Sequence, residues 1–461
     1  MISTLLTYLI KEKLMKYFYI FICLLLLGMN SPTANALTIE FLPPVGVQFA
    51  HGGMKGKVFA GQYIRKITLS ESESLYDCDF SNCIIERIEM DWSAIIENCR
   101  FANAVIHMAL LDGHVAKCDF DNCLIKDGNL EAFPQENFVQ LKNFQEKNLD
   151  LTFSNTNFHG LDLRDFEFGK SSGRFDYEDC DFSQCDVSNA YFYAAVPKLS
   201  REELLSTRNY RTGDFGGGVP QELPEGVSCA GMILGQNHLH AAPDVDFTDA
   251  VFLNVQASDI TFEQIQQTWN YRHGRLALSQ WPLELCRKHG IPDPLDDQSR
   301  LVLESPTGRF ADDPLPPCKL RGNIRLQKAW EKTDLSNVLF ENAILDYELH
   351  PSESWKLTDN YRFGYFYKIT FHHGAGFWSG TDLSAILFHE CVFIGTSWKK
   401  CRLDDAVFYR CDLTESTDLT LEQVKSTWNY KAGRMSLCKW PEYIEKALEE
   451  EEKAKAQEEK K

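Results

Sequence analysis

Apolar and polar positions recur with a period of five along residues 381–415. In blocks of five the stretch reads TDLSA, ILFHE, CVFIG, TSWKK, CRLDD, AVFYR, CDLTE. The third place is always large and apolar: Leu383, Phe388, Phe393, Trp398, Leu403, Phe408 and Leu413. The first place is mostly small, and the last two are mostly polar. An amphipathic helix spaces its apolar residues by three and four, and a half-buried strand by two, so neither element fits. A five-residue unit cannot bury its large residue alone. The pattern therefore predicts a repeat architecture in which each return of the chain stacks on the one before.

Weaker ladders with the same period occur earlier. CDFSN and CIIER begin at Cys78 and Cys83, CRFAN at Cys99, and CDFDN and CLIKD at Cys118 and Cys123. A cleaner run covers residues 151–170, followed by CDFSQ and CDVSN from Cys180 and Cys185; shorter runs lie at 245–259 and 333–342. A longer repeat punctuates these ladders. TFEQIQQTWNYRHGRL from Thr261 and TLEQVKSTWNYKAGRM from Thr420 are close copies, and SREELLSTRNYRTGDF from Ser200 is a third. Fainter copies from Pro134 and Pro351 keep Asn143-Phe144 and Asn360-Tyr361 where the others have Asn-Tyr. Ser200, Thr261 and Thr420 each stand three residues before Glu or Gln, a capping box opening a short helix. Gly213, Gly274 and Gly433 fall where a left-handed C-terminal turn is needed. Each copy is read as a short helix and turn that leaves the ladder and re-enters it.

Three stretches lack the period. Residues 1–36 hold an apolar run, Tyr17–Leu27, after Lys11, Lys13 and Lys16 and before Ala34-Asn35-Ala36. This is the layout of a signal peptide cleaved after Ala36, and a start at Met15 would give it a more usual length. Residues 37–74 are expected to cap the first ladder, because an open end exposes apolar surface and unpaired strand edges. Residues 291–330 are rich in proline (Pro292, Pro294, Pro306, Pro314, Pro316, Pro317) and are expected to link two repeat segments, 75–290 and 331–441. LALSQWPLEL around Trp281 and MSLCKWPEYI around Trp440 look like the caps closing them. Residues 442–461 read as a charged, solvated helical tail.

At CDLTE (Cys411–Glu415) and TDLSA (Thr381–Ala385) the chain resembles the pentapeptide-repeat proteins, whose blocks run small residue, Asp or Asn, Leu or Phe, then two polar residues. Insertions like the Glu-Gln…Tyr…Gly elements above also occur in that family. The resemblance implies a mainly β solenoid: a right-handed quadrilateral β-helix, one block to a side and about four to a coil, interrupted here by short helices. It also implies that the first-place residues Cys78, Cys83, Cys118, Cys123, Cys180, Cys185, Cys391, Cys401 and Cys411 point inward beside the large third-place residues.

Charge and chemistry refine this picture modestly. The chain carries a formal charge of −19, and loss of residues 1–36, with three Lys and one Glu, makes it −21. Such acidity favours solubility and repels nucleic acid and anionic lipid. Of 15 cysteines, ten occupy first places, where free Cys serves as a small apolar side chain. No C-x-x-C pair supports zinc or thioredoxin-type chemistry, and stacked parallel side chains suit disulfide geometry poorly. The close pairs His238/His240 and His372/His373 lack a spaced third ligand; His107, His114, His159 and His389 are expected on solvated sides. Trp269, Tyr271, Trp281, Trp428, Tyr430 and Trp440 could form a ligand platform, but such rings more often seal an end or anchor a helix. Asp404-Asp405 and Asp176 with Asp179 could share acid–base work; the simpler reading is a second-place Asp bonded to its own turn.

No catalytic, cofactor or metal site is expected. The leading expectation is a non-enzymatic, exported (periplasmic or secreted) repeat scaffold that binds an unidentified protein or cell-envelope partner, with no membrane span after signal removal and a dimer open. One alternative, carried by the resemblance, is an acidic DNA mimic that inhibits a DNA-binding enzyme such as gyrase; the export signal and the helical insertions count against it. A second is a carbohydrate-binding or carbohydrate-active β-helix. Cell fractionation with thiol titration of the unfolded chain tests the first expectation: an exported form cleaved after Ala36 with mostly free thiols is anticipated, and a cytoplasmic, uncleaved form would return DNA mimicry to first place.

Overall fold

A computed structural model of the chain describes residues 38–41, 45–48, 53–169, 180–193, 196–220, 222–235, 238–291, 301–304, 317–326, 335, 338–347, 356–372 and 380–458. The signal segment, Asp176, Asp179, His373 and most of the proline-rich stretch lie outside these residues.

The ladders form parallel sheets, in unbroken register through the first returns and with one shift, between Leu320 and Gly322, where Cys318–Leu326 pairs with Val338–Tyr347. Strand Tyr63–Leu69 pairs with Ile84–Met90, which pairs with Val105–Leu111; Tyr63 faces Ile84 and Ile84 faces Val105, a return of 21 residues each time. Met54–Lys55, Ser74–Tyr76, Ile95–Glu97 and His114–Ala116 repeat the arrangement in a second sheet. Isolated bridges join Val58, Asp79, Arg100 and Asp119 in a further line. Within each return four large residues turn inward, Leu75, Phe80, Ile85 and Met90 in one and Ile96, Phe101, Ile106 and Leu111 in the next, all buried. Phe59, Phe80, Phe101 and Phe120 stack at centroid spacings of 5.1, 5.1 and 4.9 Å. Burying each such ring contributes about 1.5–3 kcal/mol, with about 0.5–1.5 more for the aromatic pairing.

The first return begins earlier than the sequence pattern indicated. Met54, Phe59, Ile64 and Leu69 already keep a spacing of five within residues expected as a cap, with Phe59 half-buried and the other three buried. The sheet edge is instead covered by the antiparallel strands Thr38–Phe41 and Val45–Gln48, the former pairing with Tyr63–Leu69. The stretch expected as a linker differs as well. Leu301–Glu304 and Cys318–Leu326 are strands, paired in parallel with each other and, through the latter, with Val338–Tyr347. Proline lies outside both strands, so each keeps its full set of backbone donors.

Three local devices explain the block pattern. First, the small first-place residue is a donor as well as a filler. The thiols of Cys83, Cys185, Cys391 and Cys411 donate to the carbonyls of Phe59, Phe158, Phe366 and Phe388, the inward residues of the preceding return, at 2.8–3.4 Å. Thr156 does the same to Leu130. Second, second-place Asp carboxylates accept the backbone N–H two residues on, as at Asp79, Asp181, Asp246 and Asp382, fixing the corner as an Asx-turn. Third, block ends adopt left-handed backbone. Asn82, Asn103 and Asn122 occupy this region in successive returns, and Asn tolerates it better than other side chains with a Cβ.

Four of the punctuation elements contain two short helices each rather than one; in the copy from Pro351 the described residues hold one α-helix, Asp359–Phe363. Phe262–Gln267 and Trp269–Arg272 are separated by Thr268, whose extended backbone ends the first while its hydroxyl accepts the Tyr271 N–H to open the second. Capping boxes are formed at Ser200, Thr261 and Thr420. What each element shares is a buried asparagine that takes the place of a strand. Asn143, Asn209, Asn270, Asn360 and Asn429 each accept the N–H and donate to the C=O of one residue in the preceding return: Ile125, Phe192, Phe252, Phe340 and Phe408. All ten bonds fall between 2.7 and 2.9 Å. The side-chain amide thus reproduces the geometry of a backbone amide while the main chain turns away into helix. Asn270→Ala is therefore expected to lower stability by about 2–4 kcal/mol, since it orphans a buried N–H and C=O together; urea unfolding of the full chain checks this, and a loss below about 0.5 kcal/mol would mean that the Phe252 backbone has another partner.

Candidate functional site

Two hydrophobic cores run along the chain, one from Met54 to Ile291 and the other from Cys318 to Ile444. Trp281 stacks on Phe252 at 5.3 Å, and Trp440 meets Phe408 edge-on at 5.6 Å. Each indole N–H donates back to its own segment, to the Leu276 and Met435 carbonyls. These two rings therefore close the aromatic columns.

Trp269 and Trp428, by contrast, belong to a third cluster that joins the two cores. Its buried members are Ile233, Val251, Leu253, Trp269 and Leu278 from one side and Leu387, Val407, Tyr409, Trp428 and Leu437 from the other. These are five matched pairs. The repeated Asp-Ala-Val-Phe of residues 249–252 and 405–408 and the two Trp-Asn-Tyr elements fix the correspondence. The hydrogen bonds reciprocate in the same way. Trp269 Nε1–H donates to the Asp405 carbonyl at 3.0 Å, and Trp428 Nε1–H to the Asp249 carbonyl at 2.9 Å. Arg275 donates to the Ala385 and Arg362 carbonyls at 2.9 and 3.2 Å; Arg434 donates to Gly231 and Arg211 at 2.9 and 3.1 Å. Residue i of one core contacts j of the other, and the counterpart of j contacts the counterpart of i. That is the rule of an isologous two-fold interface, here within one chain.

Each arginine lands on a helix C-terminus. Arg211 and Arg362 lie in the last turns of Arg208–Thr212 and Asp359–Phe363, and Gly213 and Gly364 end those helices in left-handed conformation. A Cβ at either glycine would lie 2.4 Å from the guanidinium of Arg434 or Arg275. Glycine is needed there twice over, for the turn and for the close approach. Burial lowers the pKa of both arginines from the ordinary value, and the carbonyls at the helix ends compensate the charge.

One flank of the interface is polar. Asp214 accepts from the Tyr191 and Tyr409 hydroxyls, the latter at 2.7 Å, and lies 3.7 Å from Arg410. Arg410 also reaches the Tyr191 hydroxyl at 3.4 Å. Burial pushes both tyrosines well above the usual phenol range, so they remain O–H donors to the carboxylate. Gly216 lies against the Tyr409 ring: a Cβ there would be 2.3 Å from its Cζ and hydroxyl oxygen. Behind Tyr409, His389 packs at 4.9 Å. It is buried, not on a solvated side as its polar place in the ladder suggested. Its Nδ1 faces the Tyr365 hydroxyl at 3.1 Å and its Nε2 faces Glu390 at 3.4 Å. With the proton on Nε2, toward the carboxylate, Nδ1 accepts from the Tyr365 hydroxyl, so a neutral imidazole satisfies both contacts.

The remaining candidates are spread rather than gathered. Leu383, Phe388, Phe393, Trp398, Leu403, Phe408 and Leu413 are all buried, as are the first-place cysteines except half-buried Cys180. Among the described residues the cysteines are free thiols, and burial pushes Cys229 and Cys401 up to about 12. His107, His114 and His159 are exposed. His240 is exposed and bonds Asp259 at 2.5 Å, while His238 faces Gln256 in the same sheet. Asp404 pairs with Arg402 at 3.1 Å, and Asp405 contributes its carbonyl to Trp269. Among the described residues no group of three His, Cys, Asp or Glu side chains is placed to hold a metal, and no helix is long and apolar enough to cross a membrane. Reading the sequence missed Asp214, Gly216, Arg275 and Arg434; the signal available was that only the two closest punctuation copies carry Trp before Asn-Tyr and Arg after Gly.

No family model matches the chain, and no curated protein matches it. One solved structure is similar, "Structure of QnrB1 (Full length), a plasmid-mediated fluoroquinolone resistance protein", at 15% identity and a TM-score of 0.13, covering 46% of this chain and 86% of that one. At that TM-score the likeness bears no weight in the argument.

Protonation gives this interface a pH dependence of definite sign. Burial holds the folded pKa of His389, and of His273 beside Asp405, below the ordinary 6.5. In the window below that value the unfolded chain binds protons that the folded chain does not, so stability falls as pH falls. Glu390, held down to about 2 chiefly by its hydrogen bond to His389, adds a further loss only below the ordinary carboxylate range. Urea unfolding between pH 7.5 and 5 is expected to show declining stability with a shallower slope in His389→Gln; an unchanged slope would exclude the buried imidazole as the cause.

Proposed function

We propose that the chain is a non-enzymatic, exported repeat scaffold whose ladders wind as a right-handed, four-sided β-helix and whose outward columns hold a protein partner. Four inward residues per return, at spacings of five, five, five and six, support the four-sided winding; Leu75, Phe80, Ile85, Met90 and then Ile96 are one example. The observation that carries the binding role is a column of outward apolar side chains in the first sheet. Tyr63, Ile84, Val105 and Leu124 lie in one register line. Tyr63 and Ile84 are 40% and 42% exposed, and the other two are half-buried.

Parallel in-register stacking repeats whatever side chain occupies a given place, so an apolar residue at the outward place becomes a stripe. The stripe is flanked by ion-paired polar groups, Lys66 with Glu89 and Arg87 with Glu89, and by a Tyr63 hydroxyl bonded to Glu86. An apolar centre with a polar rim is the usual layout of a protein-binding surface. The buried polar groups described above serve the fold: the five asparagines complete the ladders and the arginines join the cores.

The reading is tested by placing a photo-crosslinking side chain at residue 84 and, as a control on another outward column, at residue 240, in the native host. A discrete protein adduct from 84 that disappears with Val105→Glu is expected. Equal adducts from 240, or an adduct from 84 that survives Val105→Glu, would rule out this column as the binding surface.

A further inference from the structure

The five-pair cluster between the two cores makes each docking face nearly self-complementary, so the same face could in principle accept a second copy of this chain. The correspondence fails on one flank. Tyr409 stands where the other side has Leu253, Arg410 where it has Asn254, and Asp214 where it has Tyr365. Gly216 and Gly235 line the column that receives the Tyr409 flank, and their counterparts are Tyr367 and His389. We propose that Tyr409, seated against Gly216 and bonded to Asp214, is the specificity element that reserves each docking face for the other core of the same chain.

Shape and charge both discriminate between the pairings. Pairing two copies through their second cores would bring Tyr409 against Tyr367, where the native partner offers Gly216, a place too tight even for a Cβ. Pairing two first cores would oppose Leu253 to Gly216, leaving a void, and would bury Asp214 without the Tyr409 hydroxyl and without Arg410, which lies 3.7 Å away. Asp214 would keep only the Tyr191 hydroxyl and the Gly216 N–H, and a buried carboxylate without its cation is unfavourable. Both wrong pairings are thus penalised while the native one is satisfied, the two-sided arrangement that specificity requires. The apolar pairs and the Trp and Arg bonds, common to all three pairings, supply attraction and do not discriminate.

The test uses the full chain. Tyr409→Leu with Arg410→Asn copies the Leu253 and Asn254 side onto the second core. Wild type is expected to be monomeric by sedimentation, and the double variant to self-associate at least about tenfold more tightly, the change that ~1.4 kcal/mol corresponds to. Mixing ¹⁴N and ¹⁵N copies and mapping mixed-isotope cross-links identifies the faces joined. Links between 380–440 of one copy and 380–440 of another support the proposal; links between 200–280 and 380–440 signify exchange of the native pair and overturn it. Since a poorly folded variant would not report on pairing, Tyr409→Leu alone provides a second reading: it removes the ring that would meet Tyr367 while keeping Arg410 beside Asp214, and is expected to self-associate as well. A monomeric Tyr409→Leu overturns the proposal whatever the double variant does.

Discussion

The structure depends on one constraint: each return of the chain must present backbone N–H and C=O groups to the return before it, in register. A buried amide left unpaired costs about 1–3 kcal/mol, so the ladder cannot be interrupted unless something else pairs the strand below. At five places the main chain does depart into helix, and at each an asparagine side chain supplies the missing donor and acceptor. That substitution is what permits helices within a sheet architecture. It also accounts for Asn being common to all five copies while the residues around it vary.

Once helices can be inserted, they can carry contacts that a ladder cannot. The outward surface of a parallel sheet repeats the same place every return, which favours stripes over single distinctive features. The two Trp-Asn-Tyr elements break the repetition. They place Trp269 and Trp428 beside the sheet, where each ring is buried and each indole N–H reaches a carbonyl of the other core. The asparagine ties the helix to its own core and the tryptophan one residue earlier ties it to the opposite one. Intracore and intercore bonding are therefore linked through adjacent residues.

How much of this was legible in the sequence varied with the physical cause. The inward column from Leu383 to Leu413 was readable because every third place is large and every block keeps its length. The first return, from Met54 to Leu69, was not: Phe59 and Ile64 lack the polar-rich blocks that mark the later ladders, so the period was hidden. The capping boxes and the left-handed glycines were readable because local hydrogen bonding dictates both. His389 was misplaced because its block position is polar on average, whereas here that position faces Tyr365 and Tyr409. The pairing of the cores was unreadable in a stronger sense. Residues 269 and 405 are brought together only by the whole fold, and near-identity of two elements is as compatible with two separate ends as with two halves of one interface.

Arg275 and Arg434 raise the question of why a buried joint uses cations at all. A buried ion pair often contributes less than well-packed apolar residues of the same volume, so attraction alone does not explain them. Among the described residues neither arginine is bonded to a carboxylate; each donates to two carbonyls, one of them in the last turn of a helix in the opposite core. That helix end carries unsatisfied carbonyls and the negative end of the macrodipole, which need partners wherever they are buried. The guanidinium meets this requirement in a planar geometry that an apolar residue cannot offer, and it can do so only where glycine ends the helix. The joint therefore rests on a three-part match of arginine, helix end and glycine, repeated once on each side of the two-fold. A displaced pairing would leave both a cation and a helix terminus unsatisfied, so the arginines fix the register of the two cores more than they add to their affinity.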